Sequence, residues 1–148
     1  MKNSYEEFEE KRRELEEVYD KSMGIFGLSK GAFMVIYTLY SLERPCTQKE
    51  ICEDWHENKQ TVNSAVKKLI EEGIIDIAPS PENLREKLLT FTEKGKFLAM
   101  RTVKKLIDAE KTAFGKLTEE EQKEAARITG KFCELLKKEF EKTEGENK

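Results

Sequence analysis

The sequence predicts a mainly α fold, in which two short helices and a two-stranded hairpin form a lobe flanked by long helices at both ends. Three observations lead there. Helix start signals recur along the chain. An apolar stripe of helical period runs through residues 58–72. A pair of β-branched and apolar clusters brackets a double-proline loop.

The start signals are Ser4-x-x-Glu7, Thr47-x-x-Glu50 and Thr118-x-x-Glu121, each with the capping-box pattern, and Asn58 as a lone N-cap. In each, a short polar side chain satisfies a backbone N–H that the first helical turn leaves unpaired. Gly27, Pro45, Gly73 and the cluster Pro79-Ser80-Pro81 supply the breaks. Between these marks the sequence predicts helices over 4–23, 29–43, 47–54 and 58–72, then strands over 74–78 and 87–91. A long helix over 92–115 and a last one over 118–141 follow, with residues 142–148 charged and frayed. The strands rest on Ile74, Ile75 and Ile77 before the prolines and on Leu88, Leu89 and Phe91 after them. Two short strands joined by a charged loop, directly after two short helices, make a wing on a helix-turn-helix. No repeat or internal boundary interrupts 1–148, so a single domain is expected.

Size and composition agree. The chain of 148 residues can bury one real core, and 39% charged against 37% apolar residues fits a helix-rich protein with long solvated faces. No signal-peptide pattern is present, and no apolar run approaches the roughly 20 residues that span a bilayer. A cytoplasmic location is expected. The net charge of −3 is unevenly spread: residues 44–105 hold 12 Lys/Arg against 10 Asp/Glu, leaving 15 against 20 elsewhere. A mildly basic middle between acidic ends favours nucleic-acid contact in the middle.

The segment 58–72 carries the clearest functional pattern. Val62, Ala65, Val66, Leu69 and Ile70 form one buried stripe, and Gln60, Asn63, Ser64 and Lys67 form the opposite face. Solvated faces are usually built from Glu and Lys. This one presents amide and hydroxyl groups, which suit base edges in the major groove: Gln and Asn pair with adenine, Ser donates or accepts, and Lys reaches guanine or phosphate. Lys59, Lys68 and Lys87 are placed to neutralise phosphates. A polar surface helix with no ligand is the bland alternative; the helix before it and the wing after it favour double-stranded DNA.

In motif order, Thr47-Gln-Lys-Glu-Ile-Cys-Glu, then Asn58-Lys-Gln-Thr-Val-Asn-Ser-Ala-Val-Lys-Lys-Leu-Ile-Glu-Glu-Gly-Ile-Ile75, then Leu88-Leu-Thr-Phe-Thr-Glu-Lys-Gly95, the chain resembles the multiple-antibiotic-resistance-repressor (MarR) family. The resemblance covers roughly residues 29–110, the winged lobe and its connecting helix. It implies that 1–26 and 111–141 are dimerisation helices. It further implies a homodimeric transcriptional regulator on a pseudo-palindromic operator, a repressor relieved by a small-molecule effector. Arg85 matches the family's wing-tip arginine, which enters the minor groove, where narrow A·T tracts concentrate negative potential. Family members bind lipophilic or phenolic effectors in a crevice, which Phe33, Tyr37, Tyr40 and Met100 are candidates to line. Two residues depart from the pattern. Asn83 stands where an Asp usually orients the wing arginine, and His56 stands where the turn often has Gly.

Apolar stripes at the two ends point independently to self-association. Phe8, Leu15, Val18 and Tyr19 lie on the first helix; Ile128, Phe132, Leu135 and Leu136 lie on the last. With little globular mass to cover them, packing across a two-fold axis is expected.

Other chemistry has weaker support. His56 is the only histidine, which excludes a multi-His metal site or a second catalytic histidine within one chain. No Gly-rich phosphate loop is present, and no enzyme activity or cofactor is expected. Cys46, Cys52 and Cys133 read as reduced, mostly buried thiols, and Cys52-x3-His56 lies at a one-face helical spacing that favours a metal site only weakly. Two rival readings stay open: a winged-helix protein-interaction module, and a thiol- or metal-responsive DNA-binding sensor.

Overall fold

The computed structural model describes residues 1–147. The chain forms two compact units, Met1–Leu106 and the segment from Ile107 onward. Their elements are α1 (Ser4–Ile25), α2 (Lys30–Leu42), α3 (Gln48–Trp55), α4 (Lys59–Glu71), β1 (Ile75–Pro79), β2 (Lys87–Phe91), α5 (Glu93–Arg101), α6 (Val103–Gly115) and α7 (Glu119–Glu146). The architecture is mainly α with one two-stranded antiparallel sheet, a winged helix-turn-helix. Among the described residues, no single helix is long and apolar enough to cross a membrane.

Capping sets most of the helix starts. Thr47 and Thr118 each close the reciprocal box with Glu50 and Glu121, and Asn58 Oδ1 accepts from the Thr61 N–H at 2.8 Å. The first box differs from the expectation by one residue. Asn3 is the cap, accepting from Glu6 N–H at 2.9 Å while Glu6 accepts from Asn3 N–H. The motif occurs twice in succession there, and Asn is as strong a cap as Ser. Ser29 and Thr92 cap α2 and α5 by single bonds to Ala32 and Gly95.

Two further expectations are corrected. The helix over 92–115 is broken at Thr102, whose backbone leaves the helical region at φ −124°, ψ −84°. Its hydroxyl donates to the Leu98 carbonyl at 2.6 Å, and its N–H turns to Ala99 instead. Such back-bonding by a β-branched residue bends helices. The last helix does not fray at 142 but continues to Glu146. Lys142 pairs with Glu139, and the Thr143 hydroxyl donates to the Glu139 carbonyl. Glu and Lys are good helix formers, and spaced three or four apart they support one another.

The core of the first unit is built by α2, α3, α4, the hairpin and α5. Val35, Ile36, Ile51, Val62 and Leu89 are fully buried, each contributing about 1.5–3 kcal/mol by leaving water. Gly31 lets α2 approach α4, since a Cβ there would lie 2.9 Å from the Ala65 Cβ. The hairpin register runs from Ile75 opposite Phe91 to Pro79 opposite Lys87. Leu89 turns its other backbone edge to Cys46, donating at 2.7 Å and accepting at 3.2 Å, so a one-residue third strand covers that edge of the wing.

Candidate nucleic-acid interface

The α4 stripe is divided as its period requires. Val62, Val66 and Leu69 are buried at 0–3% exposure. Gln60, Ser64, Lys67, Lys59 and Lys68 are exposed, and Asn63 is half-buried at the edge of the same face. Thr61, also exposed, joins them; the sequence reading left it out, although its spacing of three from Ser64 was the available signal.

Both ends of α4 are fixed by specific bonds. At its start, His56 adopts the left-handed conformation (φ 49°, ψ 43°) and ends α3, with Glu57 N–H donating to the Cys52 carbonyl at 3.0 Å. The backbone therefore takes the geometry that Gly would supply, with the His56 side chain exposed. Because His56 leaves the helix, it no longer shares a helical face with Cys52, which removes the geometric premise for a Cys52–His56 pair. At its far end, Gly73 (φ 72°) makes a Schellman closure: Ile74 N–H donates to Leu69 at 2.9 Å and Gly73 N–H to Ile70 at 3.0 Å. Lys94 from α5 adds its ammonium to the Glu72 carbonyl at 2.9 Å.

Thr92 and Gly95 tie this end of α4 to the wing. The Thr92 hydroxyl donates to Gly73 at 2.6 Å and accepts from Gly95 N–H at 3.0 Å. The Thr92 N–H donates to Ile74. A Cβ on Gly95 would lie 1.9 Å from the Ile74 carbonyl oxygen, so only glycine permits this approach.

The wing loop is held by its own backbone. Ser80 N–H donates to Glu86 at 2.7 Å, and Glu86 N–H donates to Asn83 at 2.9 Å. Asn83 Oδ1 accepts the Arg85 backbone N–H at 3.1 Å. Asn83 thus shapes the loop through the Arg85 main chain. Leu84 and Arg85 stand exposed at the tip, and Lys87 is exposed at the start of β2.

Among the described residues, most cations of α1 and α7 are paired, Lys131 and Lys138 excepted, whereas those of this face are not. Among the described residues, Lys59, Lys67, Lys68, Arg85 and Lys87 form no ion pair. On α1 and α7, by contrast, Lys11, Arg12, Lys21, Lys123, Arg127, Lys137 and Lys142 all pair with Glu three or four positions away.

The four candidate effector residues divide into two places. Tyr40 and Met100 line a cleft of about 570 Å³ with Leu39, Phe91 and the edges Arg44 and Lys96. Phe33 and Tyr37 instead join Trp55, with ring centroids 5.3–5.9 Å apart. The Trp55 indole N–H donates to the Thr38 hydroxyl at 2.8 Å, which in turn donates to the Met34 carbonyl at 2.8 Å. These bonds fasten the end of α3 to α2.

The thiols are not mostly buried. Cys46 is, and burial pushes its thiol up to about 12, which keeps it protonated and unreactive at neutral pH. Cys52 is half-buried and Cys133 exposed, because α7 lacks covering mass. The end stripes are partly exposed as well. Phe8, Leu15, Val18, Tyr19, Ile128, Phe132, Leu135 and Leu136 are each 37–58% exposed, and neither α1 nor α7 has a buried residue.

The sequence pattern of the MarR family matches residues 26–86. Among curated proteins no match was found. A MarR family regulator from Neisseria meningitidis is similar in structure at TM-score 0.72, with 30% sequence identity over 99% of this chain and 100% of that one. The MepR–DNA complex of S. aureus shares the fold at TM-score 0.73 and 18% identity, covering 90% of this chain and 96% of MepR. The PcaV regulator of Streptomyces coelicolor, in complex with its natural ligand, shares it at 0.65 and 17%, covering 83% and 89%. The full-length match at 30% identity establishes that this chain belongs to the MarR family of transcriptional regulators.

Proposed function

We propose that the protein is a homodimeric, sequence-specific DNA-binding repressor whose α4 enters the major groove. The observation that carries this reading is the set of unpaired cations around one polar helix face, in a chain that pairs most of its end-helix cations with carboxylates. Gln60, Asn63, Ser64 and Lys67 read base edges. Lys59, Lys68 and Lys87 neutralise phosphates, and Arg85 enters the minor groove from the wing tip. The lobe over 29–110 reads DNA, and the helices over 1–26 and 111–141 hold the dimer.

Self-association is supported by the apolar stripes of α1 and α7, whose residues are 37–58% exposed. Contiguous exposed apolar surface of this kind marks an interface. The copy related by a two-fold axis supplies a matching stripe and doubles the DNA contact. Relief by an effector is supported by the Tyr40–Met100 cleft, whose apolar floor and charged edges suit a small amphipathic molecule. The PcaV structure contains such a regulator with a ligand.

Selection of DNA from a random pool by the purified protein tests the whole reading. The expected product is a pseudo-palindrome whose half-sites lie about one helical turn, ~10 base pairs, apart. Recovery of unenriched sequences would refute sequence-specific binding, and single half-sites would refute the dimeric arrangement.

A further inference from the structure

A second, smaller cleft lies between α2 and α3. It measures about 300 Å³ and is lined by Tyr37, Thr38, Ser41, Leu42, Asp54 and Trp55. It shares no lining residue with the Tyr40–Met100 cleft. We propose that the corner between Tyr37 and Trp55 binds a small organic ammonium ion, with a trimethylammonium head group as the preferred form.

Three features point to that chemistry. The Tyr37 and Trp55 rings stand 83° apart with centroids at 5.3 Å in an edge-to-face contact, and both line the cleft. Aromatic rings carry negative potential on their faces and hold cations there. The indole N–H is committed to Thr38, whose hydroxyl is committed to Met34. With its N–H so engaged, Trp55 offers the cleft mainly carbon surface, held in orientation by that bond.

Asp54 supplies the counter-charge. It is the only ionic side chain lining the cleft, and among the described residues it forms no ion pair and accepts no hydrogen bond. Arg44 senses its charge, but that guanidinium is bound to Glu50 at 2.6 Å and to the Pro45 carbonyl at 2.9 Å. An anion would be repelled here, and a neutral apolar guest would leave the carboxylate against carbon. A quaternary ammonium meets the rings and the carboxylate together, has no N–H group needing a partner, and is weakly hydrated. The volume lies at the lower end for ligand sites, which fits a head group.

This inference extends beyond DNA reading and does not depend on it, because the test uses the protein alone. Trp55 is the only tryptophan, so its fluorescence reports the site without labelling. Choline is titrated at constant ionic strength, against the neutral dimethylbutanol of the same shape. The expected result is a saturable change with choline, with a dissociation constant on the order of millimolar, and none with the alcohol. Asp54→Asn is expected to weaken choline about ten-fold, with an unchanged thermal melt. Should that variant fail to fold, Ser41→Lys places a like charge at the exposed rim and is expected to abolish saturation. A linear response, an equal response to the alcohol, or choline binding unaffected by the variant that folds would overturn the proposal.

Discussion

Replacing Lys59 by Gln tests whether the unpaired cations of α4 meet phosphates. Lys59 is the first residue of α4, exposed and in no ion pair among the described residues. Each phosphate neutralised contributes about 0.9 to the slope of log affinity against log salt. A dimer carries the residue twice, so the substitution should flatten the slope by about 1.8. Across a four-fold rise in salt, from about 50 to about 200 mM, wild type should lose about ten-fold more affinity than the variant. The loss in low salt should be alike on operator and random duplexes, since phosphates carry no sequence. Fluorescence anisotropy over a salt series measures both quantities. Lys137→Gln is the control: that lysine lies on α7 and pairs with Glu134 at 3.4 Å. If the slope of Lys59→Gln equals that of wild type, or if Lys137→Gln flattens it as much, the pairing argument is wrong.

Four further outcomes are expected. Gly95→Ala should destabilise the fold by about 2–4 kcal/mol in urea titration, because its Cβ must displace the Ile74 carbonyl and the Thr92 bonds around it. His56→Gly should raise stability by up to about 1 kcal/mol, the left-handed cost outweighing the extra freedom of Gly in the unfolded chain; a lower urea midpoint would contradict that balance. Glu50 is held below its ordinary 4.5 chiefly by the Arg44 hydrogen bond, with burial opposing and the Thr47 backbone helping. A carboxylate lowered on folding stabilises above its unfolded value and loses that contribution as pH falls through the folded one, so Glu50→Gln should flatten the acid limb of the stability profile. Val18→Glu or Leu135→Glu, at residues 57% and 52% exposed, should give monomers by light scattering without lowering helix content; dimers of unchanged affinity would remove those stripes from the interface.

What was legible in the sequence was local. Thr47, Asn58 and Thr118 announce their helices because a cap needs only its own first turn. The α4 stripe announces its buried side because periodicity is a property of one helix. The Thr102 break was hidden because its cause is a hydroxyl choosing a carbonyl four residues back, an option that threonine also has in unbroken helices. The Cys46–Leu89 bridge was hidden because a single pairing leaves no alternation to detect. The family resemblance implied a common crevice for Phe33, Tyr37, Tyr40 and Met100. Trp55 takes the first two, while the last turn of α2 borders the cleft with Met100. Which neighbour covers each turn of a helix is decided by tertiary packing, and one sequence does not encode it in its period. The wing showed the same limit. Asn83 stands where the family pattern has an Asp orienting the Arg85 side chain, whereas its oxygen accepts from the Arg85 backbone.

The acidic balance of the whole chain also looks different once pairing is known. A formal charge of −3 argues against affinity for a polyanion if charges are simply summed. Binding, however, depends on the field at the contacting face, and exposed charges more than about 10 Å away are largely screened at 0.1 M salt. On α1 and α7 most lysines and arginines are matched within their own helices to carboxylates three or four positions away, and the remaining carboxylates give the ends their acidic balance. Those pairs contribute little stability in water, typically under about 1 kcal/mol each, but they cancel both charges locally. The cations of α4 and the wing are left uncancelled. On the proposed reading the ends can therefore remain acidic, which keeps the protein soluble and opposes non-specific condensation on nucleic acid, while a small set of free cations carries the affinity. Adding lysines to α7 would then raise net charge with little gain in operator affinity, and removing one from α4 would cost affinity with little change in net charge. The comparison of Lys59 with Lys137 measures that asymmetry directly.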